Sequence, residues 1–377
     1  MKVNNIHYFF LLVFSVVAVG APLTTLTDDE MNMYKAIGGL ACLASFVILC
    51  KDKKIIGKAL GYGIAASLLM SISILYNENA RWVNLLWIWS YLGAALILFK
   101  YGIPKYLAFS IFYVCCLSFC LVAIRGDLQS NEVLEHGSAN NISILCIYCM
   151  FLYYISLKDE QTKLLPYIPI LIVAFLSLWT ANRSGILTCG AFFLFVFYVN
   201  NKLSSKKHNR WKNIFMIFAL IVLVVYFFIN FYAQFDVAME TKMDRQGLSS
   251  ARSILWAEYI KGTFDSLGNL FLGVPGNKYL FLSYYNGNPH NSFLVAHSKF
   301  GLVGFLVILY IIFKTVRISV KRKEWVITAT LILVVSRSFF DWTAFPGLYD
   351  VMFWYFLFYI TQSRKGIAVN YLTSKAK

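Results

Sequence analysis

Charged residues are scarce in this 377-residue sequence, in which Asp, Glu, Lys and Arg together make up only 14% of the positions. Hydrophobic residues make up 59% and aromatic residues 18%, a balance far from that of a soluble domain. The scarcity of charge therefore excludes an ordinary soluble fold and indicates a protein whose solvent is largely lipid.

Several motifs of nucleotide and metal chemistry are also missing. The sequence has no glycine-rich phosphate loop, no HExxH motif and no paired-aspartate motif, so we expect no metal and no other cofactor. Its eight cysteines all fall in apolar segments, where cysteine behaves as a small hydrophobic residue, and no disulfide framework is indicated. Cys146 and Cys149 form a CxxC pair, which we interpret as packing because no second pair and no histidine are near in sequence.

Apolar runs are what the sequence has in abundance. They recur from Tyr8 to Ile360 with lengths of about 15 to 25 residues, enough to cross roughly 30 Å of hydrocarbon, some only marginally. Similar runs follow the first one throughout, so we interpret it as an uncleaved span and not as a signal peptide. The sequence predicts an all-α polytopic transmembrane bundle of about twelve helices, forming one membrane domain over residues 1–377. The predicted spans are 8–23, 34–50, 59–76, 83–99, 106–124, 142–157, 164–180, 185–200, 213–233, 292–313, 326–340 and 351–361.

Basic residues are distributed unevenly between the segments that join these spans. The side that holds both termini carries 23 of the 34 Lys and Arg residues and only 4 of the 18 acidic residues. The opposite side carries 11 basic and 14 acidic residues. Because cytoplasmic loops are enriched in Lys and Arg, we assign the basic side and both termini to the cytoplasm. The net charge of +16 then needs no nucleic-acid partner.

Two loops on the outer side are long. Residues 125–141 form the shorter one, and residues 234–291 form a loop of about 58 residues, a length that usually signals function in a compact protein. The longer loop carries a predicted helix over 251–264. Arg252 lies on the same face of this helix as an aromatic pair, Trp256 and Tyr259. Either the helix lies at the membrane surface and points Arg252 at a lipid-linked anion, or Arg252 is an ordinary solvated arginine.

Three short segments carry a resemblance to a known family. Residues 289–291, Pro-His-Asn, precede a Gly-Leu-Val-Gly sequence at 301–304, and this pattern resembles the signature of the O-antigen ligase and polymerase superfamily. Asn-Arg-Ser-Gly at 182–185 resembles that superfamily's arginine-containing turn, and Ser-Ala-Arg at 250–252 resembles its loop arginine. The motif order, loop position and span pattern agree over the whole chain.

The resemblance implies a glycosyltransferase of the bacterial inner membrane that acts at the periplasmic face on glycans linked to undecaprenyl diphosphate, without nucleotide or metal. Arginine binds phosphate oxygens bidentately and stays charged, so Arg183 and Arg252 are candidates for diphosphate recognition and leaving-group stabilisation. Histidine titrates near neutral pH, so His290 is the candidate base for the acceptor hydroxyl. Asn291 is expected to orient that hydroxyl or to bind sugar.

Two further basic residues lie within predicted spans, where charge is costly and usually functional or paired. Arg337 precedes Asp341 by four residues, so it forms either an ion pair inside the bundle or a third substrate-binding arginine. Lys299 lies just inside the tenth span and either snorkels outward or reaches a phosphate. Arg337 and Lys299 are therefore both candidate substrate-binding residues.

Three functions fit these observations. An O-antigen polymerase adds the growing chain to the next lipid-linked repeat unit. We favour it because residues 138–143 resemble a polymerase segment and because the loops are of modest size. An O-antigen ligase instead passes the glycan to the lipid A core. A transporter or flippase would place its ionisable residues near the midplane in two related halves, whereas here they lie toward the outer ends of spans. A polymerase would have a chain-length regulator and a flippase as protein partners.

Overall fold

All regular secondary structure is helical in the part of the chain that the computed structural model describes, namely residues 3–20, 28–77, 81–125, 133, 139–159, 164–203 and 251–362. These residues form fourteen α-helices and one 3₁₀ turn, and they contain no strand, so the all-α prediction is confirmed. The helices are α1 (Val3–Gly20), α2 (Asp28–Leu49), α3 (Lys53–Asn77), α4 (Asn84–Tyr101), α5 (Lys105–Arg125), α6 (Asn140–Ile155), α7 (Ile168–Trp179), α8 (Arg183–Leu203), α9 (Ala251–Phe264), α10 (Leu267–Leu272), α11 (Leu280–Tyr284), α12 (Ser292–Arg322), α13 (Trp325–Phe340) and α14 (Asp350–Gln362).

Eleven of the twelve predicted spans coincide with one of these helices, with ends that differ by several residues. The ninth, 213–233, lies outside the described residues, as do most of the 125–141 loop and residues 234–250 of the longer loop. Five helices, α2, α3, α5, α8 and α12, are long and apolar enough to cross a membrane. Helices α1, α6, α7 and α13 are apolar but shorter.

Helices α4 and α6 form the centre of the bundle, and both are buried along most of their length. Small residues allow the close packing of α2 against α4. A Cβ atom added at Gly93 would lie only 2.5 Å from backbone atoms of Gly39 and Leu43. Glycine at such a contact lets two apolar helices approach closely where lipid supplies no other driving force.

Side-chain contacts connect the helices at the end of the bundle where α8 ends and α13 begins. The ammonium group of Lys202, near the end of α8, lies 4.7 Å from the ring centroid of Trp325, which begins α13. The hydroxyl group of Tyr359 in α14 donates to the carboxylate of Glu324. The last turn of α12 is basic and lies at the same end, because α13 follows it directly.

Helix α12 is interrupted at Gly301, where φ is +66°. A side chain at this position would overlap the backbone carbonyl of Phe271 in α10. The next carbonyl of α10, that of Leu272, accepts hydrogen bonds from Ser73 at 3.0 Å and Asn77 at 3.1 Å, both in α3. The glycine in the sequence motif therefore permits a kink into which the loop helix α10 packs.

Candidate functional site

Three basic side chains meet one carboxylate at the end of α13 that lies away from Trp325. Asp341 follows α13 directly, and its Oδ2 lies 3.2 Å from a terminal nitrogen of Arg337 and 3.6 Å from one of Arg252. Its Oδ1 lies 3.6 Å from Nδ1 of His290. These four residues are called the Asp341 cluster below.

Arg337 is fully buried, with no part of its side chain exposed. Besides Asp341, its guanidinium donates a hydrogen bond of 2.9 Å to the hydroxyl oxygen of Ser184, so it joins α13 to the start of α8. The four-residue spacing predicted an ion pair with Asp341, and the structure contains it. No surface of the Arg337 side chain is open to a ligand. We therefore interpret Arg337 as a residue that positions the Asp341 cluster and no longer propose that it binds substrate.

Arg252 is placed by α9, whose bounds are those expected from the sequence. The predicted face of the helix packs against protein, because Trp256 Nε1 donates to the carbonyl of Pro289 at 2.8 Å and the Tyr259 hydroxyl lies 2.9 Å from Nδ1 of His297. The Arg252 side chain keeps 28% of its surface exposed. Burial lowers the pKa of Arg252, and the Asp341 carboxylate opposes that change.

His290 lies in a tight turn in which its own φ is +49°, a conformation uncommon for residues other than glycine. Its backbone N–H donates to Oδ1 of Asn288 at 2.8 Å, and its ring meets the Tyr285 ring edge-on at 5.5 Å. The side chain is 31% exposed. With Asp341 facing Nδ1, the proton of neutral imidazole is assigned to that nitrogen, which leaves Nε2 to accept a proton.

Asp341 is held ionised by its neighbours. Burial raises its pKa, but the nearby His290 ring and the charges of Arg337 and Arg252 outweigh burial and hold the pKa well below its usual range. One negative charge thus faces two permanent positive charges, with a third, that of Arg183, near enough to act on the pKa of Arg252. The excess positive charge suits an anionic ligand.

Arg183 is the first residue of α8 and follows a turn that is fixed by its neighbours. The Oδ1 of Asn182 accepts from the Ser184 hydroxyl at 2.8 Å and from the Gly185 N–H at 3.0 Å, which caps the helix. No described residue forms a hydrogen bond or ion pair with the half-buried Arg183 guanidinium. None of the described residues therefore competes with a ligand for its donors.

Asn291 has a local role as the N-cap of α12. Its Oδ1 accepts from the backbone N–H groups of Phe293 at 2.9 Å and Leu294 at 3.2 Å, and its Nδ2 donates to the carbonyl of Phe339 at 2.9 Å. The side chain is buried. These contacts occupy both the amide oxygen and the amide nitrogen, so we no longer propose that Asn291 binds sugar. We propose instead that Asn291 positions the turn that contains His290.

Lys299 is buried in α12 and belongs to a different part of the site. It lines a cavity of about 900 Å³, together with Arg81 and the adjoining Ser298. The neighbouring His297, whose role the sequence left open, is engaged on both ring nitrogens: Nδ1 faces the Tyr259 hydroxyl, and Nε2 lies 2.8 Å from the Leu270 carbonyl. His297 therefore connects α9 and α10 to α12 through these two contacts.

Sequence reasoning missed the central role of Asp341, which it treated only as the partner of Arg337. The contacts of Asp341 with Arg252 and His290 join segments far apart in the chain, so spacing within one helix carried no sign of them. It also missed Arg81 and Trp342, which line the cavity. The available signals were an arginine two residues before the fourth span and a tryptophan two residues after the eleventh.

The cysteine interpretation needs a correction, because a second pair does exist. Cys115 and Cys116 of α5 lie beside the CxxC pair of α6, and the Sγ atoms of Cys115, Cys116 and Cys146 all lie within 4.8 Å of one another. All three side chains are buried. Three thiols at this spacing suit a soft metal ion such as Zn²⁺ or Cu⁺. The expectation of no metal stays a prediction, and metal analysis tests it.

Comparison with known proteins assigns no family. No protein-family model matches the chain, and no curated protein matches it. The functional interpretation therefore depends on the geometry of the Asp341 cluster and on the motifs that bring its residues together.

Proposed function

We propose that the chain is a metal-independent glycosyltransferase that acts on glycans linked to undecaprenyl diphosphate and polymerises O-antigen repeat units. The observation that carries this proposal is the convergence of His290 and Arg252 on Asp341, with Arg183, which has no partner among the described residues, near enough for its charge to act on Arg252. These residues come from α8, α9 and the turn before α12, the three segments that resemble the superfamily's motifs. These segments lie far apart in the sequence, and we propose that their residues act at one site.

In the proposed reaction an acceptor hydroxyl oxygen bonds to the anomeric carbon of the donor sugar, and the bond from that carbon to the diphosphate oxygen breaks. The electron pair of that bond leaves with the diphosphate, where negative charge develops. Arg183 and Arg252 stabilise this charge. The hydroxyl proton moves to Nε2 of His290, and Asp341 orients the ring through Nδ1 and stabilises the imidazolium that forms.

The proposed location is the bacterial inner membrane, with several membrane-spanning helices, both termini in the cytoplasm and the Asp341 cluster at the periplasmic face. The support comes from charge. The basic ends of α8 and α12 lie at one end of the bundle, and α13 runs from that end to the cluster. Basic residues favour the cytoplasmic side.

The proposed acceptor is the next lipid-linked repeat unit, and the resemblance of residues 138–143 to a polymerase segment supports this choice over the lipid A core. A null mutant separates the two. Loss of a polymerase leaves lipopolysaccharide capped with a single repeat unit, whereas loss of a ligase leaves a bare core. A flippase would move lipid-linked glycan across a vesicle membrane without forming a glycosidic bond.

The proposal is tested with purified protein reconstituted in vesicles and given the lipid-linked repeat unit that accumulates in cells lacking the gene. We expect His290→Ala to lower kcat by roughly 10²- to 10⁴-fold. We expect Arg183→Ala to lower it by roughly 10- to 100-fold, the value of a charge-assisted hydrogen bond. The matched control is Arg317→Ala, on an exposed face of α12 near its basic end. Full activity in correctly inserted His290→Ala and Arg183→Ala proteins would refute the proposal.

A further inference from the structure

The cavity of about 900 Å³ adjoins the Asp341 cluster at two points. Trp342 lines the cavity and follows Asp341 directly, and its backbone N–H donates to Oδ1 of Asp341 at 3.0 Å. Asn288 also lines the cavity, and its side chain accepts the hydrogen bond from the backbone N–H of His290. A ligand in this cavity would therefore lie beside the candidate base.

The charges that line the cavity are of one sign. Lys299 is buried in its wall, and Arg81 lies in the same wall just before α4. Among the described residues that line the cavity there is no aspartate and no glutamate. The positive charge of Arg81 acts on the Lys299 ammonium, and an anion bound in the cavity would offset the repulsion between these two cations. The wall is therefore suited to an anionic group.

The remaining polar lining consists largely of amides and indole rings. An amide side chain both donates and accepts hydrogen bonds, as a sugar hydroxyl requires. Trp342 is partly exposed at the cavity wall, and Trp87 stacks on Tyr91 with their ring centroids 5.5 Å apart. Flat aromatic surfaces pack against the apolar faces of a ligand. The amide side chains are those of Asn32, Asn84, Asn277, Asn286 and Asn288.

A second cavity of about 340 Å³ continues the same space. It shares Asn32, Asn84, Trp87 and Trp342 with the larger one. It extends toward Asn141, in the first turn of α6. Pockets for small molecules have volumes of about 300–1,000 Å³, so the two together accommodate an extended ligand of more than one ring.

We propose that this cavity is the acceptor subsite, which binds a glycan bearing an anionic group on Lys299 and Arg81 and presents its hydroxyl to His290. The inference rests on the proposed glycosyl transfer and adds a second substrate site to it. The anion has two possible sources with the same chemistry, the diphosphate of a lipid-linked acceptor or an acidic sugar within the repeat unit. Arg183 and Arg252 remain the donor's residues.

The test measures binding in the full-length protein with Arg183→Ala as background, so that the proposed donor site is weakened. The probe is the lipid-linked repeat unit that accumulates in cells lacking the gene, used intact and after mild acid has released the free glycan. We expect Lys299→Met to weaken binding of the intact probe by roughly 10- to 100-fold, since charge-assisted contacts are lost. The matched control is Lys261→Met, an exposed lysine on α9 outside the cavity.

A pair of charge variants at the exposed cavity residue Asn277 avoids any disturbance of a buried position. Asn277→Asp is expected to weaken binding of the intact probe by at least threefold, and Asn277→Lys is expected to leave it unchanged or strengthen it. An effect confined to the intact probe identifies the diphosphate as the anion, whereas an equal effect on the free glycan identifies an acidic sugar.

Unchanged affinity for both probes in Lys299→Met and in Asn277→Asp would overturn the acceptor subsite, even if the unmodified protein forms glycosidic bonds. Failure of the proposed function has a different signature, in which the unmodified protein forms no glycosidic bond although the cavity variants still lose affinity. The two failures are therefore distinguishable.

Discussion

The substitution Asp341→Asn tests whether the negative charge of Asp341 stabilises the Asp341 cluster. Asparagine has nearly the same shape as aspartate, so the variant removes the negative charge with little change in volume. Arg337 is fully buried, and its remaining hydrogen-bond partner among the described residues would be the Ser184 hydroxyl. The variant therefore leaves a buried guanidinium whose charge is no longer compensated.

The size of the effect follows from burial. Removing one partner of a buried ion pair costs about 3–5 kcal/mol. The contact with Arg252 is longer, 3.6 Å, and Arg252 is partly exposed, so its loss adds only about 0–1 kcal/mol. We expect Asp341→Asn to lower the free energy of unfolding by about 3–5 kcal/mol, most of it from Arg337.

The assay is unfolding of the purified protein in mixed detergent micelles, with the double variant Asp341→Asn/Arg337→Met as the decisive comparison. The double variant leaves no fully buried charge uncompensated and should recover most of the lost stability, while glycosyl transfer stays impaired. Asp265→Asn, at an exposed carboxylate on the same side, is the matched control. An Asp341→Asn protein as stable as the unmodified one, or a double variant no more stable than the single one, would refute the reasoning.

The same ion pair sets a pH dependence. The pKa of Asp341 in the folded protein lies below its usual range. Its contribution to stability is therefore complete at pH values above the pKa of an aspartate in the unfolded chain, about 3.9. That contribution is lost as the pH falls through the lower folded value. The contribution of the Asp341 carboxylate to the difference in unfolding free energy between the unmodified protein and Asp341→Asn should therefore be complete above about pH 5 and shrink below about pH 4.

Three further predictions concern the structure around the site. Gly301→Ala should lower the unfolding free energy by about 1–3 kcal/mol, because a Cβ would strain a positive φ and meet the carbonyl of α10, whereas Gly57→Ala, in open space, should not lower it. Trp256→Phe removes the donor to Pro289 and should cost about 0.5–1.5 kcal/mol and lower kcat; unchanged kcat would contradict the proposed support of the His290 turn. Elemental analysis should find no stoichiometric metal in the protein, and one zinc or copper per chain that disappears in Cys146→Ser would contradict the packing interpretation.

Local patterns predicted most of the helices, because each apolar run is continuous along the chain. The bounds of α9 and the pair of Arg337 with Asp341 also depend on residues within about one turn of each other, so spacing was enough to predict them. The small helices α10 and α11 were not predicted. They are stabilised by contacts with other segments, such as the Glu258 carboxylate of α9, which accepts from the backbone N–H of Leu282 at 2.7 Å.

The assembly of the site could not be predicted in the same way. His290 and Arg252 were recognised as candidates, but which carboxylate they would meet depends on how α9 and α13 pack. The proximity of Cys115 and Cys116 to the CxxC pair was missed for the same reason, since Cys115 and Cys146 become neighbours only through the pairing of α5 with α6. Both sets of contacts depend on how distant helices pack against each other, and the periodicity of residues within one helix carries no information about that packing.

The central claim is that the residues around Asp341 form a glycosidic bond at the expense of a bond to diphosphate. The most direct test counts both products in vesicles that contain the purified protein and radiolabelled lipid-linked repeat units. We predict one undecaprenyl diphosphate released for each glycosidic bond formed, with both products falling together in His290→Ala. Movement of glycan into the vesicle lumen with neither product, or unchanged bond formation in His290→Ala, would contradict the claim.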